Sequence, residues 1–368
     1  MRRLYIHQLP GWPSFHWDHK ALETKVAAVR HRQGILLGRM AALGFENRNQ
    51  ANLENLTLDV VKSSEIEGEI LDVKKVRSSI AHRLGIDIGG LLPEDRNIES
   101  VVQLTLDATQ NFNQPLSKER LWGWHAALFP TGYSGLYKIK VGTWRDDAQG
   151  PMQVVSGPIG HERVHFEAPS AERLAQEMET FMAWVNQTDE IDPALKSAIA
   201  HLWFVTIHPF DDGNGRIGRA IADWVLARAE KSAQRFYSMS AEIRKRRKTY
   251  YEALENANTL DITAWLTWFL DCLAAAFETT ETTLANVFRK ASFWKIHAAT
   301  PLNERQHLII NKLLTHFDGK LNSSKWAKLS KCSQDTAQRD INDLIARKIL
   351  VKDAAGGRST SYSLVADL

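Results

Sequence analysis

The chain has 368 residues, 44% hydrophobic and 24% charged, with a net charge of +3 and a pI near 8.7. That length and balance point to two or three domains with real cores, and the weak basicity suits phosphate-bearing ligands without naming nucleic acid as the partner. The two cysteines, Cys272 and Cys332, lie far apart with no CxxC, and no apolar run reaches the roughly 18 residues a spanning helix needs, which argues against a disulfide scaffold, a thiolate metal centre and a membrane span.

In chain order, the aromatic segment from Trp12 to Trp17 is expected to lie as a lid over the helices that follow. Residues 18–42 read as an amphipathic helix with Leu22, Val26, Val29, Ile35 and Leu37 on one buried stripe, and 50–68 as a second. Further helices are expected over 98–111 and over 117–128, the latter capped by Ser117. Between 141 and 166 glycines and prolines surround the short apolar run 152–155, which predicts a loop or hairpin. Helices resume after Pro169-Ser170 and after Asp192-Pro193, where Ser or Asp supplies the cap and Pro suits the first turn. The helix over 194–207 runs into His208, and another covers 217–229. From Pro301 the order is helix (304–315), helix (323–329), turn, helix (334–347), strand (349–353), a Gly356-Gly357 turn and strand (361–365), the order of a winged helix-turn-helix. The expected divisions are 1–95, 96–295 and 300–368. The N-terminal residues lack an apolar leader, so a cytoplasmic enzyme is expected.

The densest chemistry lies in His208-Pro-Phe-Asp-Asp-Gly-Asn-Gly-Arg-Ile-Gly-Arg219. A glycine-rich turn feeding a helix presents backbone N–H groups and a positive dipole end to an anion. Gly213 and Gly215 let the backbone approach phosphate oxygens closely, and Asn214 tolerates a left-handed conformation while its amide can donate. Arg216 and Arg219, three apart, can grip successive phosphates. Asp212 offers a hard oxygen to Mg2+, and His208 can take a proton from an incoming hydroxyl.

This segment resembles the signature of the Fic family, His-x-Phe-x-Asp/Glu-Gly-Asn-Gly-Arg-x-x-Arg, at every fixed position. The resemblance implies a mainly α fold, a Fic-type helical bundle with a β-hairpin flap. It also implies transfer of AMP from ATP, with Mg2+, to a Ser, Thr or Tyr hydroxyl of a protein, the chain itself included. Carried over, His208 is the general base, Asp212 the metal ligand and Phe210 a core anchor. Gly213, Asn214, Gly215, Arg216, Ile217, Gly218 and Arg219 form the nucleotide-binding run. The intact Gly-Asn-Gly-Arg-x-x-Arg favours attack at the α-phosphate over the γ-phosphate attack of kinase-like relatives.

Upstream, Ser63-Ser-Glu-Ile-Glu67-Gly68 resembles the family's inhibitory helix. Ser63 and Glu67 share one face, and Gly68 is placed to end the helix. The resemblance implies a Glu67–Arg219 ion pair that holds the enzyme off; Glu65 and Glu69 are expected to face solvent without a role. Ser156 and Gly157 resemble the flap that covers nucleotide and registers the target, and Tyr250 with Asn258 has the spacing of the family's adenine pocket. The basic run from Arg244 to Lys248 is expected to be a solvated face.

Residues 300–368 could contact DNA or protein: Gln334, Thr336, Gln338 and Arg339, with Lys325, Lys328 and Lys331, suit base and phosphate contacts, while Asp335, Asp340 and Asp343 dilute the positive field. Two other functions stay open: a DNA-binding regulator with a Fic sensor, and removal of AMP through Glu67. A homodimer is open too.

Overall fold

The computed structural model describes the chain except residues 1–3, 94, 149, 158–160, 162, 189, 316, 318, 354–359 and 366–368. Several of its helices begin where the sequence supplies a side-chain acceptor for their unpaired N–H groups. The helices α1 (His19–Ala41) and α2 (Phe45–Ile66) precede α3 (Val73–Leu84), which is capped by Asp72, and α4 (Arg96–Gln110), capped by Asp95. Ser117 caps α5 (Lys118–Leu128), as expected. Two hairpins follow, β1 (Tyr133–Ser134) with β2 (Tyr137–Lys138), and β3 (Gln153–Ser156) with β4 (Arg163–Glu167), the second with a register shift at Val154/Val155. The first hairpin has no counterpart in the sequence expectations, because two-residue strands leave no periodicity to detect.

The helices continue with α6 (Leu174–Asn186), α7 (Pro193–Ile207) and α8 (Asn214–Glu230). Asp192 caps α7 with Pro193 in its first turn, but Ser170 caps nothing: a short 3-10 turn, Ala171–Arg173, intervenes before α6. Then come α9 (Met239–Lys245), α10 (Arg247–Asn256), α11 (Thr263–Thr283) and α12 (Ala285–Ile296). The last elements are α13 (Glu304–Thr315), α14 (Ser323–Leu329), α15 (Gln334–Ala346) and the antiparallel pair β5 (Leu350–Lys352) and β6 (Tyr362–Leu364). The expected Gly356-Gly357 turn lies outside the described residues. Among the described residues no helix is long and apolar enough to cross a membrane.

The chain divides into two compact units, residues 1–40 with 49–280, and residues 41–48 with 281–368. In the first, Leu53, Leu56 and Val60 of α2 and Val76 and Ile80 of α3 share one apolar core with Phe204, Phe210, Ile217 and Trp224. That shared burial packs α2 and α3 into the same compact unit as the segment that follows. In the second unit, Phe293, Ile309, Ile310, Trp326, Ile341 and Leu344 form a separate core, so α12 joins the three helices expected from the sequence.

Helix α1 buries Leu22 and Val29 of the expected stripe, while Val26 and Leu37 are only partly buried. Leu22, Val29, Gln33, Leu36 and Met40 face inward, whereas Ile35 is 40% exposed. The Trp12–Trp17 segment packs on other helices than the two N-terminal ones expected: Trp12 and Phe15 meet Trp203 of α7 edge-on, and Trp12 donates to Glu177 of α6.

Candidate active site

Helix α7 ends at His208, whose φ of 52° is left-handed and unusual for a residue with a Cβ. Arg145, 3% exposed, fixes that turn from outside the motif. Its Nε donates to the His208 carbonyl at 2.8 Å, and its backbone N–H donates to Pro209 at 2.9 Å. The next side chain, Phe210, is fully buried and stacks on His125 at 4.2 Å. Asn214 then closes the loop, its Oδ1 accepting from the Phe210 N–H and its Nδ2 donating to the Phe210 carbonyl. The Asn214 amide is thus occupied, and Asn214 itself is helical; the left-handed residue is Gly213, at φ 81°. A Cβ on Gly213 would sit 2.9 Å from the Phe129 ring.

Helix α8 starts here with first-turn N–H groups that lack intrahelical acceptors, beside Arg216 and Arg219. Ile217 is fully buried, and a Cβ on Gly218 would lie 2.9 Å from Val205 Cγ1. Both therefore pack α8 onto α7, a correction to their expected place in the nucleotide-binding run: one turn into a helix, they face away from its N-terminal end.

The His208 ring has its Nδ1 3.1 Å from the Val205 carbonyl, which assigns the proton to Nδ1 and leaves Nε2 as an acceptor. Burial, reinforced by the Arg145 charge, lowers its pKa to about 4 against the ordinary 6.5, so the ring is neutral near pH 7. Asp212 is partly buried; its Oδ2 accepts from the Ser134 hydroxyl and its Oδ1 from the Gly213 N–H. One carboxylate at an anion-binding helix end fits Mg2+ that takes its remaining ligands from phosphates and water. Among the described residues no cluster of three metal-ligating side chains exists.

Both motif arginines are held by the end of α2. Arg219, 3% exposed, donates from Nε to the Ser63 hydroxyl at 3.0 Å and from Nη2 to the Ser63 carbonyl at 2.9 Å. Its Nη1 lies 2.8 Å from Glu67 Oε1, the expected contact. Gly68, at φ 91°, follows directly, where α2 has ended at Ile66. Glu67 also fills the space above Gly215, where a Cβ would clash with its Oε1.

Contrary to expectation, Glu69 does not simply face solvent: its two oxygens lie 3.0 and 2.8 Å from Arg216 Nη1. Glu65 pairs with Lys62 and Arg244. The basic run is likewise more than a solvated face, because Arg247 donates to the Ile66 carbonyl at 2.6 Å and closes the end of α2.

The remaining candidates separate. Tyr250 is 2% exposed, and its hydroxyl lies 2.8 Å from His201 Nε2 and beside Arg219. It packs in the core rather than lining an open pocket. Asn258 is exposed in the turn after α10, with its backbone N–H on the Asn256 carbonyl. Ser156 and Gly157 are exposed at the end of β3, where the Ser156 hydroxyl meets His165 Nε2 at 2.6 Å. His165 and Arg163 both reach Glu255 of α10, at 2.9 and 3.0 Å, tying this hairpin to the helix.

Residues 115–226 match the family model described as Fic/DOC family, and residues 5–86 match a domain of unknown function (DUF4172). The chain is 35% identical over 106 residues to "Protein adenylyltransferase Fic" of Drosophila grimshawi, covering 28% of this chain and 21% of the relative. The same protein of Drosophila melanogaster is 34% identical over 106 residues, covering 28% and 20%. The match thus spans about a fifth of the length of these curated relatives. Among solved structures, a Fic family protein from Desulfovibrio desulfuricans aligns over 96% of this chain and 98% of its own at a TM-score of 0.56 and 22% identity. A Fic domain containing signaling protein from Bacteroides thetaiotaomicron aligns over 69% and 95% at 0.52 and 20%. The fold is therefore shared with Fic proteins, and residues 115–226 carry the match to the Fic/DOC family.

Proposed function

We propose that the Fic domain of this chain is a protein adenylyltransferase that moves AMP from ATP to a protein hydroxyl and is held off at rest by Glu67 and Glu69. The observation that carries this reading is a neutral His208 with Nε2 open, beside a glycine-hinged helix start bearing two arginines. In the reaction the target oxygen attacks the α-phosphorus, and its proton passes to His208 Nε2. The bond between the α-phosphorus and the bridging oxygen breaks, and pyrophosphate leaves. The first-turn N–H groups of α8 and the arginines stabilise charge developing on the phosphates. Asp212 would hold Mg2+, which would supply neutralising charge to the phosphates. Phosphate charge close to His208 also raises its pKa from the low resting value toward the range of an effective base.

Autoinhibition rests on competition for the same donors. Arg219 is engaged by Glu67 and Ser63, and Arg216 by Glu69, so a triphosphate meets neither arginine free. The deciding experiment is transfer of label from α-32P-ATP to protein by the Glu67→Gly variant, with and without His208→Ala. Labelling abolished by His208→Ala supports the reading. Absence of labelling from ATP, GTP and UTP alike, or labelling indifferent to His208, overturns it.

A further inference from the structure

We infer that the C-terminal unit binds duplex DNA, laying the open face of α15 against base edges with a rim of lysines on the phosphates. The inference is independent of nucleotide transfer.

The small net charge of the chain conceals an uneven distribution. Residues 281–368 hold 14 Lys and Arg against 8 Asp and Glu, while residues 1–280 hold 32 against 35. The excess positive charge thus falls in the unit with the helix-turn-helix order, and such an excess is what attracts a polyanion.

The sequence had set three aspartates of α15 against this reading, and the structure engages two of them in pairing with neighbouring side chains. Asp340 is 6% exposed, with its oxygens 2.7 Å from Arg305 Nε and 2.9 Å from Asn303 Nδ2. Asp343 accepts from Arg347 at 2.9 Å and from Gln306 at 2.8 Å. Both charges are neutralised in holding α15 to the start of α13 and to its own last turn. Asp343 keeps 41% of its side chain exposed although paired, and Asp335 is exposed.

That outer surface is polar in a specific way. Ala337, Ile341 and Leu344 turn into the core, which leaves Gln334, Gln338, Arg339 and Asn342 along the opposite side of α15. Glutamine and asparagine amides match the donor–acceptor edge of adenine, and arginine that of guanine, in a major groove wide enough for a helix. Two of these side chains are already steadied: Gln334 donates to Ser324 of α14 at 2.7 Å, and Gln338 to Asn342 at 3.0 Å. Flanking them, Lys328 and Lys331 lie at the α14–α15 turn and Lys348 lies just past α15. All three are exposed, and none of them has a carboxylate within ion-pair distance among the described residues. Amides able to read base edges, flanked by lysines able to meet phosphates, are what a major-groove interface uses.

The test is fluorescence anisotropy of the full chain with a fluorescein-labelled, mixed-sequence DNA duplex over a salt series, followed by duplexes enriched by selection on the same chain. Binding should weaken steeply with salt, and Lys328→Ala or Lys331→Ala should each lower the log–log slope by about 1 for every sequence. Gln338→Ala and Arg339→Ala should weaken the selected duplex about 5- to 100-fold while leaving mixed-sequence binding nearly unchanged for Gln338→Ala. His208→Ala should bind DNA as the parent does. Binding absent at low salt, or insensitive to all four surface substitutions, overturns the inference. So does self-association that Gln338→Ala or Arg339→Ala abolishes in a chain without DNA affinity, since the face would then be an interface between copies.

Discussion

Arg219 is clasped by a single stretch of backbone, Ser63 to Glu67, which supplies a hydroxyl, a carbonyl and a carboxylate to one buried guanidinium. Removing the carboxylate leaves the other two in place, so Glu67→Gly should free Nη1 without unfolding the site. The expected gain in automodification is on the order of ten- to hundredfold, the range of a coupling free energy of about 1–3 kcal/mol; measured rates of label incorporation check it. Glu69 is 47% exposed at its side chain, so solvent screens its pairing with Arg216. Glu69→Ala alone should therefore raise activity only about two- to fivefold, and should add to Glu67→Gly in the double variant. A second residue-scale expectation concerns Asn214, whose amide bridges both backbone groups of Phe210 in a buried loop. Asn214→Ala should cost about 2–4 kcal/mol in denaturant unfolding by leaving a buried N–H and C=O unpaired.

At the scale of elements, the end of α2 is gripped from two sides. Arg219 takes its inner face, while Arg247 takes the Ile66 carbonyl and Arg244 takes Glu65. Arg247→Ala should loosen this end and raise basal labelling in the same direction as Glu67→Gly, with a smaller amplitude. Faster hydrogen exchange at residues 63–69 is the accompanying readout. The junction of α7 and α8 is the opposite kind of contact, closed by Gly218 against Val205. Much of this was hidden from the sequence for one reason. Arg145 with His208, Glu69 with Arg216, and Arg247 with Ile66 are 63, 147 and 181 residues apart, so no local spacing announces them. What was legible was local chemistry: the motif itself, the caps at Ser117 and Asp192, and the helix order of the C-terminal unit. Where local chemistry misled, as with Ile217, Gly218 and Tyr250, the packing of one helix on another had taken the residue inward.

At the scale of the whole molecule, three histidines lie in or near the motif core with lowered pKa values. Burial takes His125 to about 4 and His208 to about 4, and burial with the Arg219 charge takes His201 to about 3. Each folded-state value lies below that of the unfolded chain, near 6.5. Their contribution to stability is therefore complete above about pH 6.5 and is lost as pH falls toward 4. Asp223 works in the opposite sense, since burial pushes its carboxyl up to about 8, but it is one group against three. The unfolding temperature should accordingly drop between pH 7 and pH 4.5, and His201→Gln should flatten that drop; a flat profile in the parent contradicts the assignment.

The backward bend of the chain at residue 208 also determines how the protein can be disarmed for study. A trap that captures client proteins has to lose proton transfer and keep the loop shape that receives them. At φ 52° alanine carries its Cβ into an unfavourable conformation, whereas asparagine visits that region readily. His208→Asn is thus the inert variant best suited to holding ATP and a client together long enough to recover both.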